Sequence, residues 1–286
     1  MNPHKPSWLK ISFGVNERYA ATKRMVETHS LHTICHSGRC PNMGECWGRG
    51  IATFLIGGNI CTRNCKFCNT QTGKPLPLDK SEPLHVAESV CLMNLSYAVI
   101  TSVDRDDLPD LGASHWVETI REVKRLTPQT SVETLIPDFQ GRLDLLDLVI
   151  AAAPDVISHN METVKRLSPV VRSAANYETS LKVIHRIAER GEIVAKSGIM
   201  VGLGETPAEV EELIDDLRLA GCRVLTIGQY LQPTRRHYAV AEYVTPKQFD
   251  NYKDIALQKG FEQVESAPLV RSSYHAGEYM KHPQGK

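Results

Sequence analysis

Six of the eight cysteines lie between Cys35 and Cys68, in two sets of three that are spaced as metal ligands. The second set has the pattern C-x3-C-x2-C, formed by Cys61, Cys65 and Cys68, with Phe67 directly before the last cysteine. Thiolates favour zinc or iron–sulfur clusters, and a structural zinc ion normally takes four protein ligands. Three thiolates on a four-iron cluster instead keep one iron open for a small molecule. We therefore expect a four-iron cluster at this loop, with zinc or disulfide bonds as the alternatives.

The first set is formed by Cys35, Cys40 and Cys46, in the pattern C-x4-C-x5-C. It again supplies three thiolates without a fourth cysteine nearby. On spacing alone, a zinc site completed by His32 or His36 is an alternative to an iron–sulfur cluster. A chain of this size does not need disulfide bonds, so we interpret both sets as ligands.

The elements that must position these cysteines are short apolar runs alternating with amphipathic stretches from residue 51 onward. Nearly continuous apolar strands indicate a parallel sheet that is buried on both faces. The predicted strands are Ile51–Ile56, Tyr97–Val103, Ser131–Ile136, Val156–His159, Val194–Val201 and Val224–Tyr230. The predicted helices are Glu82–Leu95, Ser114–Leu126, Gly141–Ala153, Tyr177–Arg190 and Pro207–Ala220. Six such units predict an α/β fold, a partial (β/α)6 TIM-type barrel with N- and C-terminal extensions and its site at the strand C-termini.

The clearest helix signal is that of Pro207–Ala220. Thr206 and Glu209 form a Thr-x-x-Glu capping box, and proline suits the first helical position. Gly221 is expected to end the helix. The predicted buried stripe consists of Val210, Leu213, Ile214 and Leu217.

Composition narrows the class of protein. Lys plus Arg and Asp plus Glu both number 33, so bulk charge predicts neither a nucleic-acid partner nor an anionic membrane. No segment approaches the roughly 20 apolar residues of a membrane span, and Met1–Lys10 lacks the apolar core of a signal peptide. We expect a cytoplasmic protein, or one of a mitochondrial or plastid matrix if eukaryotic. Cys91 and Cys222 lie in apolar stretches and are predicted to be core residues.

The order of the two cysteine patterns, together with further motifs along nearly the whole chain, resembles the lipoyl synthase family of radical S-adenosylmethionine (SAM) enzymes. The resemblance rests on many motifs in one order, since any one alone could be chance. The matching segments are Gly44–Trp47, Thr101–Leu108, Leu135–Gly141, His159–Val164, Lys196–Thr206, Gly228–Leu231 and Arg271–Ala276.

This resemblance implies two 4Fe–4S clusters and S-adenosyl-L-methionine as cofactors. The radical SAM cluster is then held by Cys61, Cys65 and Cys68, and an auxiliary cluster by the first cysteine set. The family takes the fourth auxiliary ligand from the C-terminal Arg-Ser-Ser-Tyr motif, which gives Ser273 here, with Ser272 as the alternative. A serine oxygen is a poor ligand for a soft site, so this iron is expected to be labile.

The resemblance also implies a reaction: radical insertion of two sulfur atoms at carbons 6 and 8 of a protein-bound N6-octanoyl-lysine, with sulfide from the auxiliary cluster. The implied partners are octanoylated lipoyl carrier domains (E2 subunits of 2-oxoacid dehydrogenases and the glycine cleavage H protein), an electron donor and an iron–sulfur carrier for cluster repair. Two alternatives remain at this point. One is another sulfur-inserting radical SAM enzyme, such as a biotin synthase or a methylthiotransferase. The other is a non-catalytic iron–sulfur or zinc protein.

Polar residues after the predicted strands are candidates for SAM contacts, although each alone is also typical of a turn or a cap. Thr101, Ser102 and Asp104 follow the second strand and are expected to orient the methionine end. Asn160 and Glu162 follow the fourth and are expected to bond the ribose or amino group. The glycine-rich turn with Gly198, Gly202 and Gly204 is expected to let the backbone approach the adenine.

Charges near the cluster loop have a simpler interpretation. Arg63 and Lys66 are expected to be solvated. The basic run Arg235–His237 is interpreted as a solvated loop, with contact to an acidic carrier domain as the alternative.

The resemblance divides the chain into three parts: residues 1–50 with the auxiliary ligands, residues 51–245 as the barrel, and residues 246–286 as a C-terminal helix and tail that closes the barrel. One departure is Leu111, which stands where the family pattern has glycine. If this turn requires a positive φ, leucine is unfavourable there.

Overall fold

Seven parallel strands form the central sheet. The structure is a computed structural model that describes residues 5–9, 19–20, 23–24, 26, 32–38, 40, 42–48 and 53–274. The sheet contains β1 (Thr53–Ile56), β4 (Tyr97–Ser102), β5 (Ser131–Leu135), β6 (Val156–Ser158), β7 (Val194–Val201), β8 (Val224–Gln229) and β9 (Gln263–Ser266). A separate parallel pair, β2 (Ile60–Cys61) and β3 (Gln71–Thr72), lies in the cysteine loop.

The strand order β1-β4-β5-β6-β7-β8-β9 follows the chain, and each neighbouring pair is parallel. Sequential parallel strands joined by helices produce a barrel-like sheet, so the partial TIM-type barrel is confirmed. All six predicted strands are present: the strand Val194–Val201 has the predicted bounds, and four others end one residue earlier than predicted. Ile51 and Ala52, at the start of the first predicted strand, lie outside the described residues.

The seventh strand, β9, was not predicted. Only alternate residues of Gln263–Ser266 are buried, so the strand is neither long nor apolar enough to stand out in the sequence. It pairs with β8 in the segment assigned to the C-terminal extension, and the division into three parts remains a prediction.

Helices follow the strands as the alternation predicted. The long helices are α3 (Glu82–Leu92), α4 (Ala113–Leu126), α5 (Leu143–Ala151), α7 (Tyr177–Ala188), α8 (Pro207–Leu219) and α9 (Pro246–Gln258). The short ones are α1 (Ile34–Ser37), α2 (Met43–Gly48) and α6 (Ser168–Val171), and Ser7–Leu9 and Phe139–Gly141 form 3-10 turns. Among the described residues, no helix has both the length and the apolar character that crossing a bilayer requires.

The capping box at the start of α8 is present as predicted. The Thr206 hydroxyl accepts from the Glu209 N–H, and the Glu209 carboxylate accepts from the Thr206 N–H at 2.8 Å. The predicted stripe of Val210, Leu213, Ile214 and Leu217 is buried. Gly221 follows the helix with φ 87°, the left-handed conformation that glycine adopts without steric cost.

The sheet interior contains a buried ion pair. The Lys196 Nζ lies 2.7 Å from Oε1 of Glu133, and both side chains are inaccessible to solvent. The Tyr97 hydroxyl donates to the other Glu133 oxygen at 2.7 Å. Burial lowers the pKa of Lys196, although Glu133 opposes this effect. A fully partnered charge such as this one ties β4, β5 and β7 together.

The edge of β1 is covered by the N-terminal segment. Thr33 forms an antiparallel bridge with Phe54, and the Leu55 N–H donates to the His32 carbonyl at 2.9 Å. This pairing satisfies an edge strand and brings Cys35 beside the barrel.

Leu111 adopts φ 51°, which agrees with the expected left-handed turn. It is followed by Gly112, whose φ is 84°. The two lone cysteines differ: Cys222 is buried as predicted, whereas Cys91 is exposed on α3, so the core prediction for Cys91 was wrong.

Candidate active site

The loop Cys61–Cys68 begins at β2, immediately after the C-terminal end of β1. The Gly73 N–H donates to the Cys61 carbonyl, and the Cys68 N–H donates to the Cys65 carbonyl, both at 3.0 Å. These bonds fold the segment into a closed loop at the strand end where a barrel site is expected.

Arg63 holds this loop to the barrel. It is buried, so the prediction that it is solvated was wrong. Its side chain is 5% exposed and forms a bidentate pair with Asp106 at 2.7 and 2.9 Å. It also bonds Asp138 at 2.7 Å and lies 3.3 Å from Asp104. Burial lowers the pKa of Arg63, but the aspartates outweigh burial and raise it above its ordinary value. The guanidinium thus joins the cysteine loop to the ends of β4 and β5.

Cys61 is surrounded by groups that orient its sulfur. The N–H groups of Arg63 and Asp104 donate to the sulfur at 3.4 and 3.3 Å. Burial, followed by the nearby Asp104 charge, raises the pKa of the thiol to about 12. The free thiol is therefore protonated at neutral pH, so binding of a metal cluster must release a proton.

Other contacts hold the loop from outside. The Ser173 hydroxyl accepts from the Asn64 N–H at 3.1 Å and lies 3.6 Å from the Cys65 sulfur. On the opposite side, a ring nitrogen of His237 lies 2.9 Å from the Cys68 carbonyl. Nothing in the sequence near Ser173 distinguishes it from an ordinary loop serine.

The first cysteine set is gathered by two short helices. The Cys40 N–H donates to the Cys35 carbonyl at 3.0 Å, and the Cys46 N–H donates to the Asn42 carbonyl at 2.8 Å. All three cysteines belong to one apolar cluster with Trp47. Burial raises the pKa of both Cys35 and Cys40. The structure therefore brings together the three predicted ligands of this set.

The C-terminal motif lies against this cluster. The Asn42 amide donates to the Leu269 carbonyl at 2.7 Å. Arg271 is half-buried and lies close enough to Cys40 for the charges of the two groups to interact. Ser272 and Ser273 follow directly, in a turn closed by the Tyr274 N–H donating to the Arg271 carbonyl at 2.9 Å. His275 and Ala276 of the same motif lie outside the described residues.

Gly228 explains how the C-terminal segment passes so close to β8. A side chain at this position would overlap the carbonyl of Val270. The Gln229 N–H donates to the Pro268 carbonyl at 3.2 Å, which fixes the approach. Glycine is required here for space, not for an unusual φ.

The two cysteine sets lie side by side. Ile34, next to Cys35, packs against the group of apolar side chains that includes Cys61. The Asn69 amide donates to the Ser37 carbonyl at 2.8 Å. The two cysteine sets, which are the predicted ligands of the two iron–sulfur clusters, thus lie at the same end of the barrel.

Polar side chains that follow β6, namely Asn160, Glu162 and Arg172, lie beside the Cys61–Cys68 loop. The Asn160 side chain bonds the Glu162 carboxyl group, while its Oδ1 has no partner among the described residues. Arg172 is 5% exposed, and its Nη1 likewise lacks a partner within that part of the chain. The charges of Glu162, Asp138 and Cys65 reach Arg172, but burial outweighs them and lowers its pKa. Unsatisfied buried donors and acceptors are costly, so the Asn160 Oδ1 and the Arg172 Nη1 are suited to the ammonium and carboxylate groups of a ligand such as the amino-acid end of SAM.

Two backbone features position Glu162 and Asn160. Glu162 has φ 65° and pairs with Ile199 of β7 in an isolated bridge. Gly198 on the same strand leaves room for Asn160, because a side chain there would come within 2.8 Å of the Asn160 Oδ1. Non-glycine residues with positive φ are often found at functional sites.

The remaining predicted contact residues have structural partners. The Thr101 hydroxyl donates to the Leu135 carbonyl at 3.1 Å, and Ser102 ends β4. Asp104 engages Cys61 and Arg63. A side chain at Gly202 would overlap Gln229 and the Glu242 backbone, so packing alone requires this glycine. A ligand role for these residues remains a prediction.

The geometry bears on the alternatives for the cysteines. All eight are free thiols, so the disulfide interpretation is not supported. Within the described part of the chain, no three His, Cys, Asp or Glu side chains converge as ligands of a single metal ion.

The fold and the cysteine loop define a radical SAM enzyme, and the family model for the radical SAM superfamily matches residues 55–217. Streptococcus suis SuiB bound to S-adenosylmethionine shares the fold, with TM-score 0.60 and 10% identity over 80% of this chain and 54% of that one. The lipoyl synthase of Bacteroides fragilis strain YCH46 is 74% identical over 97% of this chain and 96% of its own length. The lipoyl synthase of Bacteroides thetaiotaomicron is 72% identical over 97% of this chain and 98% of its own length. The chain belongs to the lipoyl synthase family.

Membership confirms the predicted activity, the dependence on SAM and 4Fe–4S clusters, and lipoyl domains as the class of substrate. It also rules out the biotin synthase, methylthiotransferase and non-catalytic alternatives.

Proposed function

We propose how this chain divides the lipoyl synthase reaction among its residues. Cys61, Cys65 and Cys68 hold the cluster that binds SAM. Cys35, Cys40 and Cys46 hold the auxiliary cluster, with Ser273 as its fourth ligand. The first cluster would supply the electron that cleaves SAM to methionine and a 5′-deoxyadenosyl radical, which abstracts hydrogen from carbons 6 and 8 of the octanoyl chain. The auxiliary cluster would supply the sulfide that is inserted there.

The observation that carries this proposal is the meeting of three distant segments at one barrel end. Ile34 packs beside Cys61, and Asn42 bonds Leu269 at 2.7 Å. A carbon radical must meet a sulfur source before it meets solvent, so both sites have to open into one enclosed space. The apolar surroundings of both cysteine sets favour the exclusion of water.

The amino-acid part of SAM is proposed to bind to Asn160, Glu162 and Arg172, beside the cysteine loop. Arg172 pairs with the carboxylate, because its free Nη1 is a buried donor. Asn160 accepts from the ammonium group through its free Oδ1, beside the Glu162 carboxyl group, whose pKa is raised by burial. Thr101, Ser102 and Asp104 complete the wall on the β4 side.

The partners beyond the lipoyl domain are an electron donor for the cysteine-loop cluster and an iron–sulfur carrier that rebuilds the auxiliary cluster after its sulfide is consumed. We place the reaction in the cytoplasm. The carriers are the E2 subunits of 2-oxoacid dehydrogenases and the glycine cleavage H protein.

The test uses anaerobically purified protein with reconstituted clusters. Iron and sulfide are counted, and dithionite, SAM and an octanoyl-lysine peptide are then added for analysis by mass spectrometry. About eight irons per chain, 5′-deoxyadenosine and a dithiolated peptide are expected. About four irons with 5′-deoxyadenosine but no thiolation would contradict the auxiliary role of the first cysteine set. Failure to cleave SAM would contradict the role of Cys61–Cys68.

A further inference from the structure

The basic run after β8 forms a tight turn. The His237 N–H donates to the Thr234 carbonyl at 3.0 Å, which closes a four-residue turn with Arg235 and Arg236 at its two central positions. The Thr234 hydroxyl accepts from the Arg236 N–H at 3.3 Å and lies 2.8 Å from the His237 Nδ1. Both arginines are exposed at the tip, side by side in the sequence.

This turn is fixed to the cysteine loop. The Cys68 carbonyl can only accept, so His237 Nε2 carries the proton of the 2.9 Å bond between them. The next residue, Tyr238, donates its N–H to the Lys66 carbonyl at 2.9 Å. Lys66 is itself exposed. The turn that carries Arg235 and Arg236 is therefore joined to the part of the cysteine loop that carries Lys66.

These cations differ from most exposed arginines of the barrel. A carboxylate partner is present at Arg125, Arg142, Arg166, Arg186 and Arg223, although none is found at Arg121 among the described residues. By contrast, no carboxylate within 4.0 Å of Lys66, Arg235 or Arg236 is found among the residues that the structure describes. The chain as a whole has no net charge, so this basic patch is a local feature.

We propose that Lys66, Arg235 and Arg236 form a docking surface for an acidic face of the carrier domain, next to its octanoyl-lysine. The inference rests on the proposed function, in which the acyl chain enters the barrel beside the cysteine loop. A carrier that inserts a lysine arm must place its own surface over this rim. Unpaired guanidinium groups on a rigid turn attract carboxylates with little loss of conformational entropy.

The test compares two substrates of the cluster-loaded enzyme: an intact octanoylated lipoyl domain and a short neutral octanoyl-lysine peptide. In the Arg235→Glu/Arg236→Glu variant, KM for the domain is expected to rise roughly tenfold, with kcat preserved. Turnover of the peptide is expected to stay at the wild-type rate, because the peptide lacks the acidic face. Raising the salt concentration should weaken wild-type use of the domain more than that of the variant.

The matched control is Arg121→Glu/Lys182→Glu, which reverses two exposed cations on helices α4 and α7 that have no ion-pair partner among the described residues. It should leave both substrates unaffected. An unchanged KM for the domain in the Arg235/Arg236 variant would overturn the docking surface, and so would an equal loss with both substrates. A wild-type enzyme that thiolates neither substrate would remove the proposed function and this surface with it, whereas wild-type activity with an unaffected variant removes the surface alone.

Discussion

Arg63 and Asp138 are 75 residues apart in the chain, yet the Arg63 Nη2 lies 2.7 Å from the Asp138 Oδ1. Their side chains are only 5% and 3% exposed. Arg63 stands between two proposed cluster ligands, and Asp138 follows β5. This buried pair is the main electrostatic link between the cysteine loop and the barrel.

Removing the Arg63 charge should destabilise the protein strongly. Arg63→Ala leaves three aspartates near one another without their cation, and breaking a buried pair in this way costs about 3–5 kcal/mol. Urea unfolding measures the loss, and Arg63→Lys should recover part of it. Arg125→Ala is the control, because its pair with Glu122 is exposed to solvent and should contribute little to stability. Equal effects of the two alanine variants would contradict the role of Arg63.

Replacing one cysteine of each set should separate two activities. Cys65→Ala is expected to abolish 5′-deoxyadenosine formation, because it removes a ligand of the SAM-binding cluster. Cys40→Ala is expected to retain some SAM cleavage but to lose sulfur insertion. Both products are followed by mass spectrometry. A normal lipoyl product from Cys40→Ala would be incompatible with the proposed sulfur source.

Arg172→Met should weaken SAM binding without loss of stability. A charge-assisted hydrogen bond contributes about 1.5–3 kcal/mol, so affinity should fall roughly tenfold to a hundredfold. The unliganded protein should be as stable as the wild type or more so, because the buried guanidinium lacks a partner for its Nη1. Equilibrium binding and urea midpoints test the two parts, and a large loss of stability would indicate a structural role instead.

His159 should make the folded state sensitive to acid. Its Nδ1 lies 3.0 Å from the Ile136 carbonyl, so Nδ1 carries the proton of a neutral ring, and Nε2 accepts from the Ser180 hydroxyl at 2.9 Å. Burial, aided by the Arg172 charge, lowers the pKa of His159 to about 4. The unfolded chain, with a histidine pKa of about 6.5, then binds the proton more readily than the folded one.

The neutral His159 ring therefore makes its full contribution to the free energy of unfolding above about pH 6.5. This contribution, roughly 3 kcal/mol, is lost as the pH falls towards 4. Urea midpoints at constant ionic strength across this range show the slope. His159→Gln should lack this part of the slope. Identical pH profiles for the two proteins would refute the assignment.

Substitutions at Leu111 should affect stability according to how well the new residue tolerates a positive φ. Its φ of 51° costs a residue with a Cβ about 1–2 kcal/mol. Leu111→Gly relieves this strain but gives up partial burial, so its free energy of unfolding should stay within about 1 kcal/mol of the wild type. Leu111→Val keeps the apolar character but is β-branched, so it should be clearly less stable. A valine variant as stable as the glycine variant would exclude strain at this turn.

The sequence predicted the barrel well where one local signal determined the element. Helix α8 shows this best, because its cap, proline, apolar stripe and glycine all lie within the sixteen residues from Thr206 to Gly221. The site was less predictable. Arg63 looks like a solvated charge until Asp106 and Asp138 are brought to it by the parallel register of β4 and β5. Ser173 and Arg172 reach the cysteine loop only through the path of the chain after β6, which no local pattern encodes.

The contact of Asn42 with Leu269 has a consequence for the order in which the enzyme matures. The hydrogen bonds that hold the Cys61–Cys68 loop involve residues up to Tyr238, whereas the auxiliary site also requires the segment around Arg271. A chain is synthesised from its N-terminus, so the ribosome delivers this segment late. The proposed auxiliary ligands before residue 50 therefore wait for a segment that is translated after all the barrel strands, so the second metallocentre is expected to assemble later than the first.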